Sequence, residues 1–359
     1  MKILVLMESF VSGGVERVSL TLLTELKKQG HEIEIFVQAA EGEYFDAYAE
    51  CFDITVFPDF SRYNLFKTIF WMKKVSSNFD VVLLTKGGLA KFTIASVTKK
   101  IAVQHVPVTL PGKARLYSLI RKYGMSFFYR FVDAVVCVSD GIRLDLINQS
   151  VVPKGKVITI YNPVILNEII DFRNSINSTK LREPSQQLNF VAVGRCCYQK
   201  GYDYLLEICS KLHKNQVDFV VHIVGDGENL SELISMCSAL GLNDKIKFLG
   251  YQSSPFKYMA SADAILLTSR WEGLPTVLVE AAYLGCQIIS FDCDFGPREL
   301  TEEGKKGFLV PEGDIESFCN AVERFSLGER KEHVNLSAFS VEQSARNYIE
   351  LFERQVNES

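Results

Sequence analysis

The chain has 359 residues, of which 47% are hydrophobic and 23% charged, and a formal net charge of −4 at pH 7. That balance fits an ordinary globular protein of two domains and excludes both a globally basic nucleic-acid binder and a disordered chain. The opening M-K-I-L-V-L-M is cut by Glu8 before a signal-type apolar run can form, and no later run approaches about 18 apolar residues, so a cytosolic protein is expected. Nine cysteines, an odd number with no C-x-x-C pair, read as buried free thiols rather than disulfides or a zinc site.

In chain order, Lys2 to Leu6 read as a buried strand. Val15, Val18, Leu22, Leu23 and Leu26 then recur at helical spacing until Gly30. The turn between them lacks G-x-G-x-x-G, so the Gly13-Gly14 pair reads either as a close backbone approach to a ligand or as a tight turn. Further strands are expected at Glu32 to Val37, Val81 to Leu84, Ile101 to Gln104, Ala134 to Val138 and Val157 to Ile160, with helices between several of them. This alternation predicts a parallel, doubly wound sheet. His105 follows a strand directly in V-Q-H-V-P, at the carboxyl edge where such sheets bind ligands; a capped structural histidine is the plain alternative.

Charge is uneven. No acid lies between Asp80 and Asp133, while Lys86, Lys91, Lys99, Lys100, Lys113, Arg115, Arg121, Lys122 and Arg130 do. Within this span residues 111–131 interleave Lys and Arg with Leu, Ile, Tyr and Phe. Such a segment suits the surface of an anionic bilayer, or else an amphipathic helix with solvated cations packed on the sheet.

After Y-N-P-V, the polar stretch from Asn167 to Gln187 reads as a linker. The pattern then restarts with a strand at Phe190 to Val193, the loop G-R-C-C-Y-Q-K-G and a helix from Tyr202 to Leu212. In that loop Arg195 offers a rigid fork of donors and Lys200 a compact charge, a pair suited to a diphosphate. Ile246 to Leu249 forms another strand, ending in Gly250 and Tyr251.

Ala264 to Leu267 is a short buried strand, broken by Gly273 and Pro275 before V-L-V-E-A-A-Y-L reads as helix and Gly285 ends it. The stretch from Leu274 to Leu278, with Pro275 and Thr276 in its turn, offers an anion pocket at the helix start through its unpaired backbone N–H groups. Glu272 and Glu280 are eight residues apart, about two turns of helix, and can flank one elongated ligand. Glu280 is ringed by apolar neighbours and so needs a partner. Asp292-Cys293-Asp294 has the D-x-D spacing of some divalent-metal sites, although two acids alone do not make one. Ser340 with Gln343 has the capping-box pattern of a last helix whose apolar face is Val341, Ala345, Tyr348, Ile349 and Phe352.

The run E-G-L-P-T-V-L-V-E, two glutamates with seven residues between, resembles the signature of glycosyltransferase family 4, and G-R-x-x-x-x-K-G resembles that family's phosphate-binding pair. The resemblance spans nearly the whole chain, most strongly from Phe190 to about Asp314. It implies the GT-B fold: two Rossmann-like α/β domains facing each other across a cleft, residues 1–162 binding acceptor and 163–339 the donor, with a terminal helix 340–356 crossing back to the first.

It further implies a retaining, metal-independent transfer of a sugar from a nucleoside diphosphate, expected to be UDP, to a hydroxyl of a glycan or lipid-linked acceptor in bacterial surface polysaccharide or lipopolysaccharide synthesis. Glu272 and His105 would orient the sugar. Arg195, Lys200, Gly13, Gly14 and the Leu274-Pro275-Thr276 turn would hold the diphosphate, Glu280 the ribose, and the backbone at Gly250 and Tyr251 the base. The nucleotide sugar is then a co-substrate and no cofactor is called for; nucleic acid is not an expected partner, and the inner face of the cell membrane is an expected place of work. The alternatives weighed are a sugar-nucleotide epimerase of similar architecture, a retaining glycosidase using the two glutamates, and a non-catalytic subunit that binds nucleotide sugar.

Overall fold

The computed structural model describes residues 1–11, 14–58, 64–108, 115–176 and 187–358. The chain divides into two units, Met1–Pro163 with Ser337–Ser359, and Val164–Leu336.

The first unit runs through β1 (Lys2–Met7), α1 (Gly14–Lys28), β2 (Glu32–Val37), α2 (Phe45–Cys51), β3 (Asp53–Val56), α3 (Leu65–Ser76) and β4 (Val81–Leu84). It continues through β5 (Lys99–Gln104), α4 (Arg115–Phe128), β6 (Ala134–Cys137), α5 (Asp140–Asn148) and β7 (Val157–Thr159). The strands lie in the order β3-β2-β1-β4-β5-β6-β7. All are parallel, with Leu6 opposite Phe36 on one side and Leu84 on the other. Ile3 to Met7, Val81 to Leu84 and Val135 to Cys137 are almost wholly buried, as strands covered by helices on both faces must be.

The second unit repeats the plan. α6 (Asn167–Ser175) leads to β8 (Leu188–Val193), α7 (Tyr202–Lys214), β9 (Phe219–Val224), α8 (Leu230–Ala239), β10 (Ile246–Phe248) and α9 (Phe256–Ser261). Then follow β11 (Ala264–Leu267), α10 (Thr276–Tyr283), β12 (Gln287–Asp292), α11 (Pro297–Leu300), β13 (Phe308–Pro311) and α12 (Ile315–Ser326). The parallel order is β10-β9-β8-β11-β12-β13. Its core is aromatic, with Phe190, Phe219, Phe291, Phe318 and Phe325 fully buried. Strand order reverses between β1 and β4 and between β8 and β11, so each sheet opens a ligand crevice at those carboxyl ends.

The last helix, α13 (Val341–Asn357), packs in the first unit against α1, burying Ala345, Tyr348, Leu351 and Phe352. Its start is half a capping box. The Ser340 hydroxyl accepts from the Gln343 amide, but the Gln343 side chain turns forward to Asn347.

The stretch from Asn167 is not wholly a linker. Ile169 buries itself and organises Asn167–Ser175 as helix, a face too short to stand out among Asn, Asp and Arg; residues 177–186 lie outside the described set. The 3-10 turn Ser337–Phe339 belongs with the first unit because Phe339 packs on Tyr161 at 4.9 Å. Two edge strands escaped the sequence pattern. β3 is mostly exposed, and β13 ends in Pro311, which an edge strand tolerates.

Candidate functional site

In the second unit two loops meet at the switch point. The first follows β8 and carries Arg195 and Lys200; the second follows β11 and carries Ser269 to Gly273. Gly201 joins the first loop to α7 with φ +61°, and a Cβ there would stand 2.1 Å from the Thr268 carbonyl oxygen. Only glycine lets the loops approach so closely. Gly194 does the same for the Lys200 side chain, whose Cε would lie 2.7 Å from an added Cβ.

The loops are then cross-tied. Thr268 Oγ1 donates to the Lys200 carbonyl (3.2 Å), the Arg270 amide to Gln199 (2.8 Å) and Gln199 Nε2 to the Trp271 carbonyl (2.9 Å). The Arg270 guanidinium lies between the rings of Tyr198 and Tyr204, at 4.0 and 4.1 Å, and its nitrogens meet both Asp203 oxygens at 2.9 and 2.5 Å. Burial would push the Asp203 carboxyl up, but Arg270 holds it below its ordinary value.

This frame sets Glu272, which is only 7% exposed. Its Oε1 accepts from Lys200 Nζ at 2.8 Å and from Ser269 Oγ at 2.6 Å, and its amide donates to Asp294 O at 3.1 Å. Oε2 has no partner among the described residues and is not among the buried unsatisfied atoms, so it is open to a hydroxyl. Arg195 is exposed and likewise has no ion pair or hydrogen bond from its guanidinium among the described residues. The thiol of Cys293 is pushed up by burial and by the neighbouring Glu272 charge, which keeps it an inert neutral group beside the carboxylate.

The helix start is more occupied than its sequence suggests. Pro275 sits outside α10, in a tight turn where the Thr276 amide donates to Leu274 O and the Leu278 amide to Pro275 O, both 2.9 Å. Two amides of the expected anion pocket are thereby committed to backbone, which leaves the Val277 amide as the more available donor. Gly296 lets the loop after β12 pack on this turn, since a Cβ would fall 2.2 Å from Pro275 Cδ. Glu280 is 8% exposed on α10 and is engaged, as a carboxylate among apolar neighbours must be. Asp292 of the D-x-D run is held by both Nε and Nη2 of Arg298. Gly250 is tied in through Gly225, whose amide donates to its carbonyl (2.8 Å) and which abuts Gly194; Tyr251 beside it is exposed.

The first unit has its own cluster at the ends of β1, β4 and β5. Lys86 Nζ lies 3.0 Å from Glu16 and 3.3 Å from Glu8; burial pulls its pKa down, but the hydrogen bonds and charges of the two carboxylates together outweigh this and raise it. His105 Nε2 stands 3.0 Å from the Thr85 carbonyl oxygen. A carbonyl only accepts, so Nε2 carries the proton and the neutral ring presents Nδ1 as an acceptor. Burial holds His105 down at about 4, and the ring is therefore neutral at physiological pH. Lys86, His105 and Gln104 border a cavity of about 460 Å³. Gly14 opens α1 and is exposed, while Gly13 and residues 111–114 of the basic stretch lie outside the described residues. Ser269, Arg270, Asp203 and the Lys86–Glu16 pair are contributions that sequence reading missed; Arg270 adjoins the glutamate run, but its partner 67 residues away gave no local signal.

Comparison with known proteins agrees with this layout. A family model described as Glycosyltransferase Family 4 matches residues 12–168, and one described as Glycosyl transferases group 1 matches residues 174–339. The amylovoran biosynthesis glycosyltransferase AmsD of Erwinia amylovora is 25% identical over 340 residues, covering 92% of this chain and 91% of its own. A lipopolysaccharide 1,6-galactosyltransferase of Salmonella typhimurium is 27% identical over 56% of this chain and 54% of its own. Among solved structures, the apo form of the lipopolysaccharide outer core galactosyltransferase WaaB superposes with a TM-score of 0.78 at 21% identity, covering 99% of this chain and 100% of that one. An Anabaena protein, HepE, solved with UDP and glucose superposes at 0.75 and 18% identity over 99% and 100%. The fold is GT-B.

Proposed function

The chain belongs to glycosyltransferase family 4, and from that premise we propose that it transfers a sugar from a UDP-sugar to a hydroxyl of a glycan or lipid-linked acceptor, with retained anomeric configuration and without a metal. The observation that carries this reading is the Lys200–Glu272–Ser269 constellation at the switch point of the second sheet, with the exposed Arg195 guanidinium on the same loop as Lys200.

The geometry suggests an exchange of partners. Lys200 neutralises Glu272. An arriving diphosphate competes for Lys200, and Arg195 adds a second cation. Glu272 is thereby released to accept from a hydroxyl of the sugar while the two cations stabilise the charge that grows on the leaving diphosphate. Glu280 takes the ribose hydroxyls, Val277 N–H and the turn from Leu274 to Thr276 border the phosphates, and the backbone at Gly250 and Tyr251 borders the base. In the retaining reaction the departing phosphate oxygen takes the acceptor proton on the face it leaves, so no protein nucleophile is needed. His105, neutral and with Nδ1 open, serves the sugar as a hydrogen-bond acceptor. Asp292 is drawn to Arg298, which argues against D-x-D as a metal ligand set.

Among the described residues no helix is long and apolar enough to cross a membrane. Contact with an anionic bilayer is supported instead by α4, whose Leu116, Ile120, Tyr123 and Phe127 are exposed, in a stretch that also carries Lys122 and Arg130. The inner face of the cell membrane is then the place of work, in surface polysaccharide synthesis.

The test is a screen of UDP-sugars by thermal shift, followed by product anomer analysis by NMR with and without EDTA. Glu272→Ala is expected to abolish transfer in a folded protein, and Glu280→Ala chiefly to weaken UDP binding. Undiminished transfer by both variants, or an inverted product, overturns the proposal.

A further inference from the structure

Helix α4 presents two adjacent faces, and none of its described residues is buried. Leu116, Ile120, Tyr123 and Phe127 follow one another at steps of four, three and four, so they share one face, and each is half to two-thirds exposed. Roughly a quarter-turn around the helix, Tyr117, Arg121, Gly124 and Phe128 line the cavity of about 460 Å³ whose far wall is Lys86 and the end of β5. That volume falls within the range of about 300–1,000 Å³ usual for ligand sites. Tyr117, half exposed, belongs to the cavity face.

Most polar groups around the cavity are already matched. Gln104 accepts from the Tyr129 hydroxyl at 2.5 Å and donates to the Val106 carbonyl. Lys86 is held by Glu8 and Glu16, and His105 Nε2 by Thr85. Arg121 is different: among the described residues its guanidinium has no hydrogen bond and no ion pair. Burial pulls its pKa down, opposed mainly by the phenol groups of Tyr117 and Tyr129 and by Asp145. A half-buried guanidinium with no carboxylate in ion-pair contact is a cation only partly compensated, and its planar fork fits two oxygens of a phosphate.

We propose that this cavity receives the phosphate head of an amphiphilic acceptor, a sugar carried on a long-chain phosphate, with Arg121 as the phosphate's partner and the hydrocarbon chain along the Leu116, Ile120, Tyr123 and Phe127 face. The inference rests on the transferase reading and narrows its acceptor from glycans in general to those on a lipid phosphate. Charge and shape select the occupant: Arg121 without an ion pair in the cavity lining, and an apolar stripe on the neighbouring face of the same helix, complement an anionic head that carries an apolar tail.

The full-length protein, with UDP in excess to occupy the donor site, is titrated by calorimetry with farnesyl diphosphate, farnesol and inorganic pyrophosphate. Farnesyl diphosphate is expected to bind at least tenfold more tightly than either of the others. Arg121→Gln should weaken it by about tenfold or more and Ile120→Ser, on the exposed face, several-fold, as a lost charge-assisted bond and lost apolar contact imply. The proposal is overturned if farnesol binds as tightly as the diphosphate, if pyrophosphate alone does, which would make the site one for free phosphate, or if Ile120→Ser and Arg121→Gln both bind as the unaltered protein does. UDP binding, measured separately on each protein, reports folding and the donor site. Its absence from the unaltered protein refutes the transferase reading rather than this one.

Discussion

The Lys200–Glu272 pair gives a prediction that runs against the usual expectation for a site mutation: Glu272→Gln should bind UDP more tightly while transferring sugar more slowly. The two side chains are 16% and 7% exposed and 2.8 Å apart. At an effective dielectric constant of about 20 the gross attraction is about 6 kcal/mol, and desolvation of both ions leaves about 1.5–3 kcal/mol net. A diphosphate reaching Lys200 must overcome that attraction. A side-chain amide in place of the carboxylate would still accept a weaker hydrogen bond, so part of the energy is recovered and UDP affinity rises by about tenfold, at 1.4 kcal/mol per decade. Transfer falls by about a hundredfold or more because the sugar loses its anionic acceptor. Calorimetric titration with UDP, paired with initial rates, measures both. Lys200→Met serves as the reference and should weaken UDP, with no further change when Glu272→Gln is added to it. Equal or weaker UDP binding in Glu272→Gln alone would refute the exchange of partners.

Other outcomes follow from the same geometry. His105 has a folded pKa of about 4, below its ordinary value, so the unfolded chain takes a proton first as pH falls. Its stabilisation is complete above about pH 6.5 and lost towards pH 4; the stability difference between the unaltered protein and His105→Gln should shrink over that window in urea titrations, and a protonated His105 in NMR spectra at pH 6 would contradict it. Gly201→Ala should cost about 2–4 kcal/mol in denaturant unfolding, since both its left-handed φ and the Thr268 carbonyl oppose a side chain. Arg270→Lys keeps the charge but loses the fork on Asp203 and the stacking between Tyr198 and Tyr204; kcat should fall about tenfold while UDP affinity stays within about threefold.

Much of this architecture was legible because its signals are local. Buried parallel strands such as Ile3 to Met7 and Ala264 to Leu267 are continuous apolar runs, and the alternation with helices fixes a doubly wound class. Glu272, Arg195 and Lys200 could be picked out as candidates because each lies in a loop that follows a strand. What stayed hidden depends on distant pairing. Lys200 and Glu272 were assigned separate tasks, yet 72 residues of chain fold to put them 2.8 Å apart. The Thr276 and Leu278 amides looked free because a helix start normally leaves them so, and only the backbone turn at Pro275 shows them committed. The exposure of the apolar face of α4 was equally unreadable, since the same spacing serves a helix packed on a sheet.

The chain leaves its first unit at Pro163 and returns at Ser337. The second unit is thus an insertion in the first, and all of Val164–Leu336 is made between the first unit's sheet and Tyr348 and Phe352, which are buried in that first unit. Synthesis from the amino end therefore leaves the older half with an apolar groove uncovered for as long as the inserted unit takes to be made, until the α13 segment emerges from the ribosome. A chain stopped at Leu336 would keep that groove open, a target for chaperones and proteases.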